Sequence, residues 1–217
     1  MAFDGPAPVD YRNVSALNRA YLTLLQTDRR ARGSLQQLAS ALGRRITSLT
    51  RHQVDRLSAT PFLLVSFRER DDTLWSQLLS DERDRDLFTR PVADDLDRLR
   101  SAGLGFVWQL ARQNPYTLRL ICGASLHWCE QISERTLFGL LAAVAPHTDL
   151  LTLRRADDDA LWNKLLHAGV SRESEIRTAA HVSALQTILT RPASGVPRSW
   201  AVAACKTRSR GLRVADE

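Results

Sequence analysis

The chain has few of the residues on which small stapled proteins depend. Its 217 residues include three cysteines, Cys122, Cys129 and Cys205. Such an odd and sparse set excludes a disulfide framework and favours a reducing compartment, so we expect a cytoplasmic protein. A chain of this length can bury a sizeable core without a metal or disulfide.

Long hydrophobic segments are also missing. The longest apolar run, residues 137–145, has nine residues, whereas a membrane-spanning helix needs about 18 or more. The first residues, MAFDGPAPVDYR, are polar and carry two acids before the first arginine, unlike a secretory signal with its cationic start and apolar core. The sequence therefore predicts a soluble protein without membrane contact.

Lysine is nearly absent, because only Lys164 and Lys206 among the 30 basic residues are lysine. The formal net charge is +6, and residues 192–217, with five basic and two acidic residues, supply +3 of it. Positive charge favours polyanionic partners, although the arginine-rich composition of a GC-rich bacterial genome explains the excess as well. We expect a flexible basic tail in which Arg208 and Arg210 are candidate DNA contacts.

The usual signatures of catalytic and metal sites are missing. Gly103 and Gly105 lack the third glycine of a phosphate-binding fingerprint. Cys122 and Cys129 lie on a predicted helix, where seven residues separate them by roughly 10 Å, which favours packing over metal binding. The acids at 157–159 are typical of a helix start. The sequence predicts a non-enzymatic protein with no metal site and no cofactor.

An internal repeat is the strongest pattern in the chain. The segment ERDDTLWSQLL ends at Leu79, and ADDDALWNKLL ends 87 residues later at Leu166. The same offset aligns the aromatic residues that we predict to lie in the core, Tyr21 with Trp108 and Trp75 with Trp162. We therefore expect two copies of one unit, related by a pseudo-twofold.

The apolar residues recur at helical spacing, which predicts an all-α fold with about four helices per copy. Thr50 and Gln53 have the spacing of a capping box, and aspartates at 71–72 and 158–159 are candidate helix caps. We divide the chain into an N-terminal arm (1–13), a first copy (14–85), a linker helix (86–100), a second copy with a terminal helix (101–191) and a basic tail (192–217).

A helix, a tight turn and a second helix with basic edges are predicted in the first copy. Arg44 and Arg45 close the first of these helices, and Arg51, His52 and Arg56 lie on the second. A helix-turn-helix presents its second helix to the major groove, where arginine binds guanine edges and phosphates. These five residues are candidate DNA contacts; the open alternative is that they solvate one face.

The second copy has apolar residues at the corresponding surface. Leu137 and Phe138 stand near the positions that Arg51 and His52 have in the first copy. An exposed apolar patch marks an interaction surface, so Leu137 and Phe138 are candidate contacts for a protein partner.

Residues 49–81, LTRHQVDRLSATPFLLVSFRERDDTLWSQLLSD, resemble the FlhD family of flagellar transcription regulator subunits. The segment YLTLLQ, which begins at Tyr21, is similar to the first helix of that family, and GASLHWCEQISERT keeps its spacing from a glycine to Ile132 and Thr136. The matching positions in the longest segment are Leu49, Thr50, Gln53, Val54, Leu57, Leu63, Phe67, Arg68, Leu74, Gln77 and Asp81.

The resemblance implies a helical subunit that forms dimers and joins a zinc-containing partner, FlhC, to activate promoters. Two tandem copies would correspond to a covalent dimer. The chain is about twice the usual length, and Val65 stands where some members have a cysteine that links subunits. We expect a transcription regulator or regulator subunit that acts through an FlhC-like or other protein partner and contacts DNA. The alternative is an interaction adaptor without DNA binding, and homo-oligomerisation stays open.

Overall fold

The computed structural model describes residues 5–80 and 94–190, and the all-α expectation is confirmed there. The first half contains α1 (Pro8–Thr27), α2 (Arg29–Arg32), a 3₁₀ helix (Gly33–Leu35), α3 (Ser40–Thr47), α4 (Arg51–Ser58), β1 (Val65–Ser66) and α5 (Asp72–Ser80). The second contains α6 (Asp95–Gln113), α7 (Pro115–Cys122), α8 (Leu126–Ser133), α9 (Leu137–Val144), β2 (Thr152–Leu153), α10 (Asp159–His167) and α11 (Ser174–Thr190).

Side-chain caps begin the helices where the sequence predicts them. The Thr50 backbone N–H donates to Oε1 of Gln53 at 2.9 Å, and the Gln53 N–H donates back to the Thr50 hydroxyl at 3.4 Å. Asp71 accepts from the Leu74 N–H at 3.0 Å, and Asp158 accepts from the Leu161 N–H at 2.9 Å. Each cap satisfies first-turn donors that have no partner within the helix.

The helix boundaries differ from the expected ones in several places. The apolar stripe from Leu35 to Leu49 is not one helix, because a 3₁₀ helix ends at Leu35 and α3 begins only at Ser40. Each half therefore has more helices than the four expected. Helix α1 begins at Pro8, inside the expected N-terminal arm, since proline favours the first position of a helix.

The expected linker helix is also different. Helix α6 is continuous from Asp95 to Gln113, so it crosses the boundary placed at residues 100–101. Asp94 caps it by accepting from the Asp97 N–H at 2.8 Å. The first part of the expected linker, residues 86–93, lies outside the described residues, as does the basic tail with Arg208 and Arg210.

The two longest helices of this core, α1 and α6, pack against each other and organise the rest. Helix α1 packs against α3 and α4, and α6 packs against α7, α8 and α9. The strands pair antiparallel, with Val65 opposite Leu153 and Ser66 opposite Thr152. The buried apolar residues of both halves form one continuous cluster.

Each half also contributes a helix to the other. Helix α5 packs against α9, and α10 packs against α3. Trp75 of α5 is buried against Trp128 of α8, and Trp162 of α10 is buried as well. Separating the halves would expose both tryptophan helices, so we expect the two halves to unfold together.

Several elements recur with the offset that the sequence contains. Helices α1 and α6 begin at residues 8 and 95, β1 and β2 at 65 and 152, and α5 and α10 at 72 and 159. Arg68 and Arg155, also 87 residues apart, both have a left-handed backbone, with φ of 54° and 52°. These paired elements therefore follow one another in the same order in both halves, whereas the 3₁₀ helix has a place only in the first half and α11 only in the second, within the described residues.

Candidate functional site

The candidate DNA contacts lie on two eight-residue helices, α3 and α4, separated by residues 48–50. Helix α1 packs against both. Its Gln26 side chain donates to the backbone oxygen of Leu49 at 2.8 Å, which fixes the turn between them. Two short helices joined by a three-residue turn and supported by a third helix are the elements from which a helix-turn-helix is built.

Three of the candidate residues form an exposed basic surface, which we call the α3–α4 surface: Arg44, Arg51 and His52. Within the described part of the chain, none of the three has a side-chain hydrogen bond or ion pair. Arg51 and His52 occupy the first two positions of α4, where the helix dipole disfavours a cation by about 0.3–1 kcal/mol. Helix stability therefore does not explain a basic residue there.

The remaining two candidates face the second half of the chain instead. Arg45 Nη1 lies 2.5 Å from Nε2 of His167, whose Nδ1 lies 2.9 Å from the Asn163 backbone oxygen. Arg56 Nη1 donates to the backbone oxygen of Val170 at 3.3 Å. Arg45 and Arg56 therefore attach α3 and α4 to α10 and the segment after it, and they are less available to a ligand than the α3–α4 surface.

An acid next to this surface is neutralised from within the protein. Asp55 lies one turn along α4 from Arg51 and forms an ion pair with Arg19 of α1 at 3.2 Å. The pair reduces the repulsion that Asp55 would exert on an anionic ligand near Arg51.

The candidate partner contacts, Leu137 and Phe138, are the first two residues of α9. Thr136 caps α9 by accepting from the Gly139 N–H at 3.1 Å. Leu137 is half-buried, whereas Phe138 is 68% exposed, the largest value among the large apolar residues of the described ranges. Leu137 and Phe138, which we call the Phe138 surface, carry no charge themselves, and an exposed apolar pair of this kind favours a protein ligand.

Trp108, expected in the core, is only partly buried, whereas Tyr21, Trp75 and Trp162 are buried. The Trp108 indole N–H donates to the backbone oxygen of Arg135 at 2.7 Å, and the Arg112 guanidinium lies 5.2 Å from its ring centroid. Trp108 thus fixes the turn between α8 and α9 and has to stay near the surface to reach it.

The two cysteines of the described residues lie on separate helices, which corrects the prediction of one helix. Cys122 ends α7, and Cys129 lies in α8 after a turn in which Gly123 has φ of 64°. Burial raises the pKa of both thiols, that of Cys129 to about 12. Neither is a ready thiolate nucleophile. The described ranges contain no group of three or more His, Cys, Asp or Glu side chains that could hold a metal ion.

A cleft of about 680 Å³ beside the strand pair is rich in arginine, but its cations have partners inside the protein. Arg68 forms ion pairs with Asp71 at 2.6 Å and with Asp149 at 3.4 Å. Arg70 donates to the backbone oxygens of Gly123 at 3.0 Å and Ile188 at 2.8 Å. These contacts already occupy the two guanidinium groups and connect them to neighbouring segments, among them α11, so the cleft is not a good anion site.

A buried ion pair that sequence patterns did not indicate lies between the two halves. Arg154 contacts Glu69 and also donates to backbone oxygens, that of Val65 at 2.9 Å among them. The Glu69 carboxylate accepts from the Phe67 N–H at 2.9 Å. Because the offset aligns Arg154 with Phe67, the repeat gave no signal for a charged residue at this position.

Comparison with models of protein families, with curated proteins and with solved structures finds no match for this chain. None of the helices in the described ranges is long and apolar enough to cross a membrane.

Proposed function

We propose that this protein is a non-enzymatic transcription regulator or regulator subunit that contacts DNA through the α3–α4 surface and works in the cytoplasm. One observation carries the proposal: Arg44, Arg51 and His52 are exposed on two short helices joined by a tight turn, without internal partners in the described residues. The second half has Gln131, Leu137 and Phe138 near the corresponding positions, so positive charge is concentrated on the first half.

The mode of binding follows from the position of each side chain. The N-terminal residues of a recognition helix contact base edges, and Arg51 and His52 are the first two residues of α4. Arginine reads guanine through its O6 and N7 atoms. Arg44, in the last turn of α3, is placed for a phosphate contact, and Arg208 and Arg210 of the tail would add others.

The proposal includes a tandem duplication of an FlhD-like unit. Its support is the common order of elements, the offset of 87 residues in both strands and tryptophan helices, and the left-handed backbone of Arg68 and Arg155. A covalent pair of such units would place one basic and one apolar surface in a single chain. The Phe138 surface would then bind an FlhC-like or other protein partner.

The second candidate function is an interaction adaptor without DNA binding. The exposure of Phe138, at 68%, is the observation that favours it. Both functions use the same fold, so only the behaviour of the α3–α4 surface toward DNA separates them.

A salt titration of DNA binding separates the two functions. A fluorescein-labelled duplex of random sequence, followed by fluorescence anisotropy, measures phosphate contacts, because log affinity falls with log salt by about 0.9 per contact. We expect Arg44→Ala with Arg51→Ala to lower affinity and reduce the slope by one to two. The matched control, Arg29→Ala with Arg172→Ala, removes two other exposed arginines and should leave both unchanged.

Selection from a random duplex library adds the test of base reading. If Arg51 contacts a guanine, Arg51→Ala should lose about 1–3 kcal/mol of discrimination at one base pair. Absence of DNA binding by the wild-type chain at about 50 mM salt would leave the adaptor as the function. If the Arg44→Ala, Arg51→Ala variant and the Arg29→Ala, Arg172→Ala control lose equal DNA affinity, the α3–α4 surface is not the DNA-binding surface.

A further inference from the structure

A groove of about 850 Å³ runs between α1 and α6, on the two helices that begin 87 residues apart. Its floor is apolar: Ala16, Leu17, Ala20, Leu24, Leu99 and Ala102. The three alanines are exposed, and their small side chains allow the backbone of another helix to approach closely. Ala16 and Ala20 are four residues apart and lie on the same face of α1.

The rim of this α1–α6 groove is basic. Arg12, Arg19 and Arg98 line it together with one acid, Asp95, so the lining carries three cations and one anion. Arg98 pairs with Asp95 at 3.0 Å and Arg19 with Asp55 at 3.2 Å, and both arginine side chains are more than half exposed. Exposed ion pairs of this kind contribute little to stability, so a partner's carboxylates can replace them.

We propose that the α1–α6 groove binds an amphipathic helix of a partner protein that carries acidic residues beside its apolar face. An amphipathic helix docks by placing apolar residues spaced three, four and seven apart into a hydrophobic groove. The apolar floor between α1 and α6 fits such a face, and the arginine rim fits acidic residues along its edges. Opposite charges also guide the partner into one orientation.

The charge disfavours two other occupants. A second copy of this chain docked groove to groove would bring two basic linings together, and their arginines would repel each other. The tail at residues 192–217 carries five basic and two acidic residues and is repelled for the same reason. The proposal does not depend on DNA binding, because the α3–α4 surface lies outside the groove lining.

Peptide binding by the full-length chain tests the proposal. The probe is a fluorescein-labelled peptide of about three helical turns, with leucines on one face and glutamates beside them. A copy with lysine in place of glutamate and a scrambled copy serve as controls. We expect the acidic peptide alone to bind, and its affinity to fall as salt is raised.

Two pairs of variants locate the site. Ala20→Trp should fill the groove and reduce peptide affinity about tenfold or more, whereas Ala179→Trp, at another exposed helical alanine, should not. Arg12→Glu with Arg98→Glu should abolish peptide binding and keep DNA binding. The same charge change at the α3–α4 surface, Arg44→Glu with Arg51→Glu, should do the reverse.

Three results of the peptide assay would overturn the inference. These are a wild-type chain that does not bind the acidic peptide, equal binding of the lysine peptide, and equal affinity in Ala20→Trp and Ala179→Trp. Circular dichroism of each variant establishes that a lost affinity does not come from unfolding. Since the DNA assay uses the same preparations, failure of the groove and failure of the DNA proposal are distinguishable.

Discussion

The indole of Trp75 meets that of Trp128 edge to face, with ring centroids 5.3 Å apart and an angle of 77° between the planes. Both side chains are fully buried, but their ring nitrogens differ. Trp75 Nε1 donates to the backbone oxygens of Phe67 at 3.2 Å and Arg68 at 3.1 Å. Trp128 Nε1 has no acceptor among the described residues. One buried nitrogen therefore stabilises the fold, and the other destabilises it.

Replacing each of these tryptophans by phenylalanine should have unequal effects. Trp75→Phe removes the indole donor from the Phe67 oxygen, while the Arg68 oxygen still accepts from the Asp71 N–H at 2.9 Å. Trp128→Phe removes a buried donor that has no acceptor among the described residues. Because both changes lose similar volume, we expect Trp75→Phe to reduce the free energy of unfolding by about 1–2 kcal/mol more than Trp128→Phe. Urea unfolding at equal m-values measures the difference. Equal losses would mean that the Trp128 N–H has a partner.

The left-handed backbone of Arg68 and Arg155 predicts an unusual order of substitutions. A side chain at φ of 54° or 52° meets the following carbonyl, and glycine avoids this contact. At both positions we expect the glycine variant to be more stable than the alanine variant by about 1 kcal/mol. Comparing glycine with alanine at one site cancels the loss of the arginine contacts.

Arg44 provides the control for this comparison. It lies in α3, where alanine should be more stable than glycine by about 1 kcal/mol. Thermal unfolding of the six variants measures the difference in stability between glycine and alanine at each site. This difference should favour glycine at Arg68 and Arg155 and alanine at Arg44. If alanine were better at Arg68 and Arg155 too, the left-handed conformation would be wrong.

Local signals in the sequence predicted much of the fold. The Thr50 capping box and the Asp71 and Asp158 caps act within three residues, so their spacing is visible in the sequence. The period of the apolar residues likewise predicted the helices around Trp75 and Trp162. The interruption between Leu35 and Ser40 was missed, because an apolar stripe continues on both sides of it.

Contacts between distant residues could not be predicted in this way. Arg45 is 122 residues from His167, and Arg56 is 114 residues from Val170, so sequence spacing assigned the same role to all five candidate residues. Trp108 was expected in the core because it aligns with Tyr21, yet its indole N–H reaches the turn oxygen of Arg135. An offset aligns positions but does not fix the direction of a polar group.

The buried pair of Arg154 and Glu69 should couple the two halves energetically. Glu69→Ala leaves a buried cation without its counter-charge, for which a loss of about 3–5 kcal/mol is expected. Arg154→Met alone leaves the buried Glu69 carboxylate without its counter-charge. In a double-mutant cycle, Arg154→Met should therefore cost much less in the Glu69→Ala background, where that carboxylate is absent. Chemical unfolding of the four proteins measures the coupling. Additive losses would mean that the two charges do not interact.

Buried thiols should make the protein unreactive at moderate pH and less stable in alkali. In a Cys205→Ser background the remaining thiols are Cys122 and Cys129, both buried. We expect no reaction with a disulfide reagent at about pH 8 until denaturant is added, and then two equivalents. A rapid reaction of the native protein would contradict the burial of these side chains.

The pH dependence follows from the same burial. The pKa of each thiol is higher in the folded protein than in the unfolded chain, and that of Cys129 reaches about 12. The stabilisation is therefore complete below the unfolded value of about 8.5 and is lost as pH rises toward the folded values, because the unfolded chain releases protons first. Cys122→Ala with Cys129→Ala should flatten the loss between about pH 8.5 and 10. Tyr21, whose pKa burial also raises, adds to the loss only near and above the usual tyrosine value of about 10. Urea unfolding across this range measures how the free energy of unfolding changes with pH. If that dependence is the same in the double cysteine variant and the wild type, the thiols do not contribute to it.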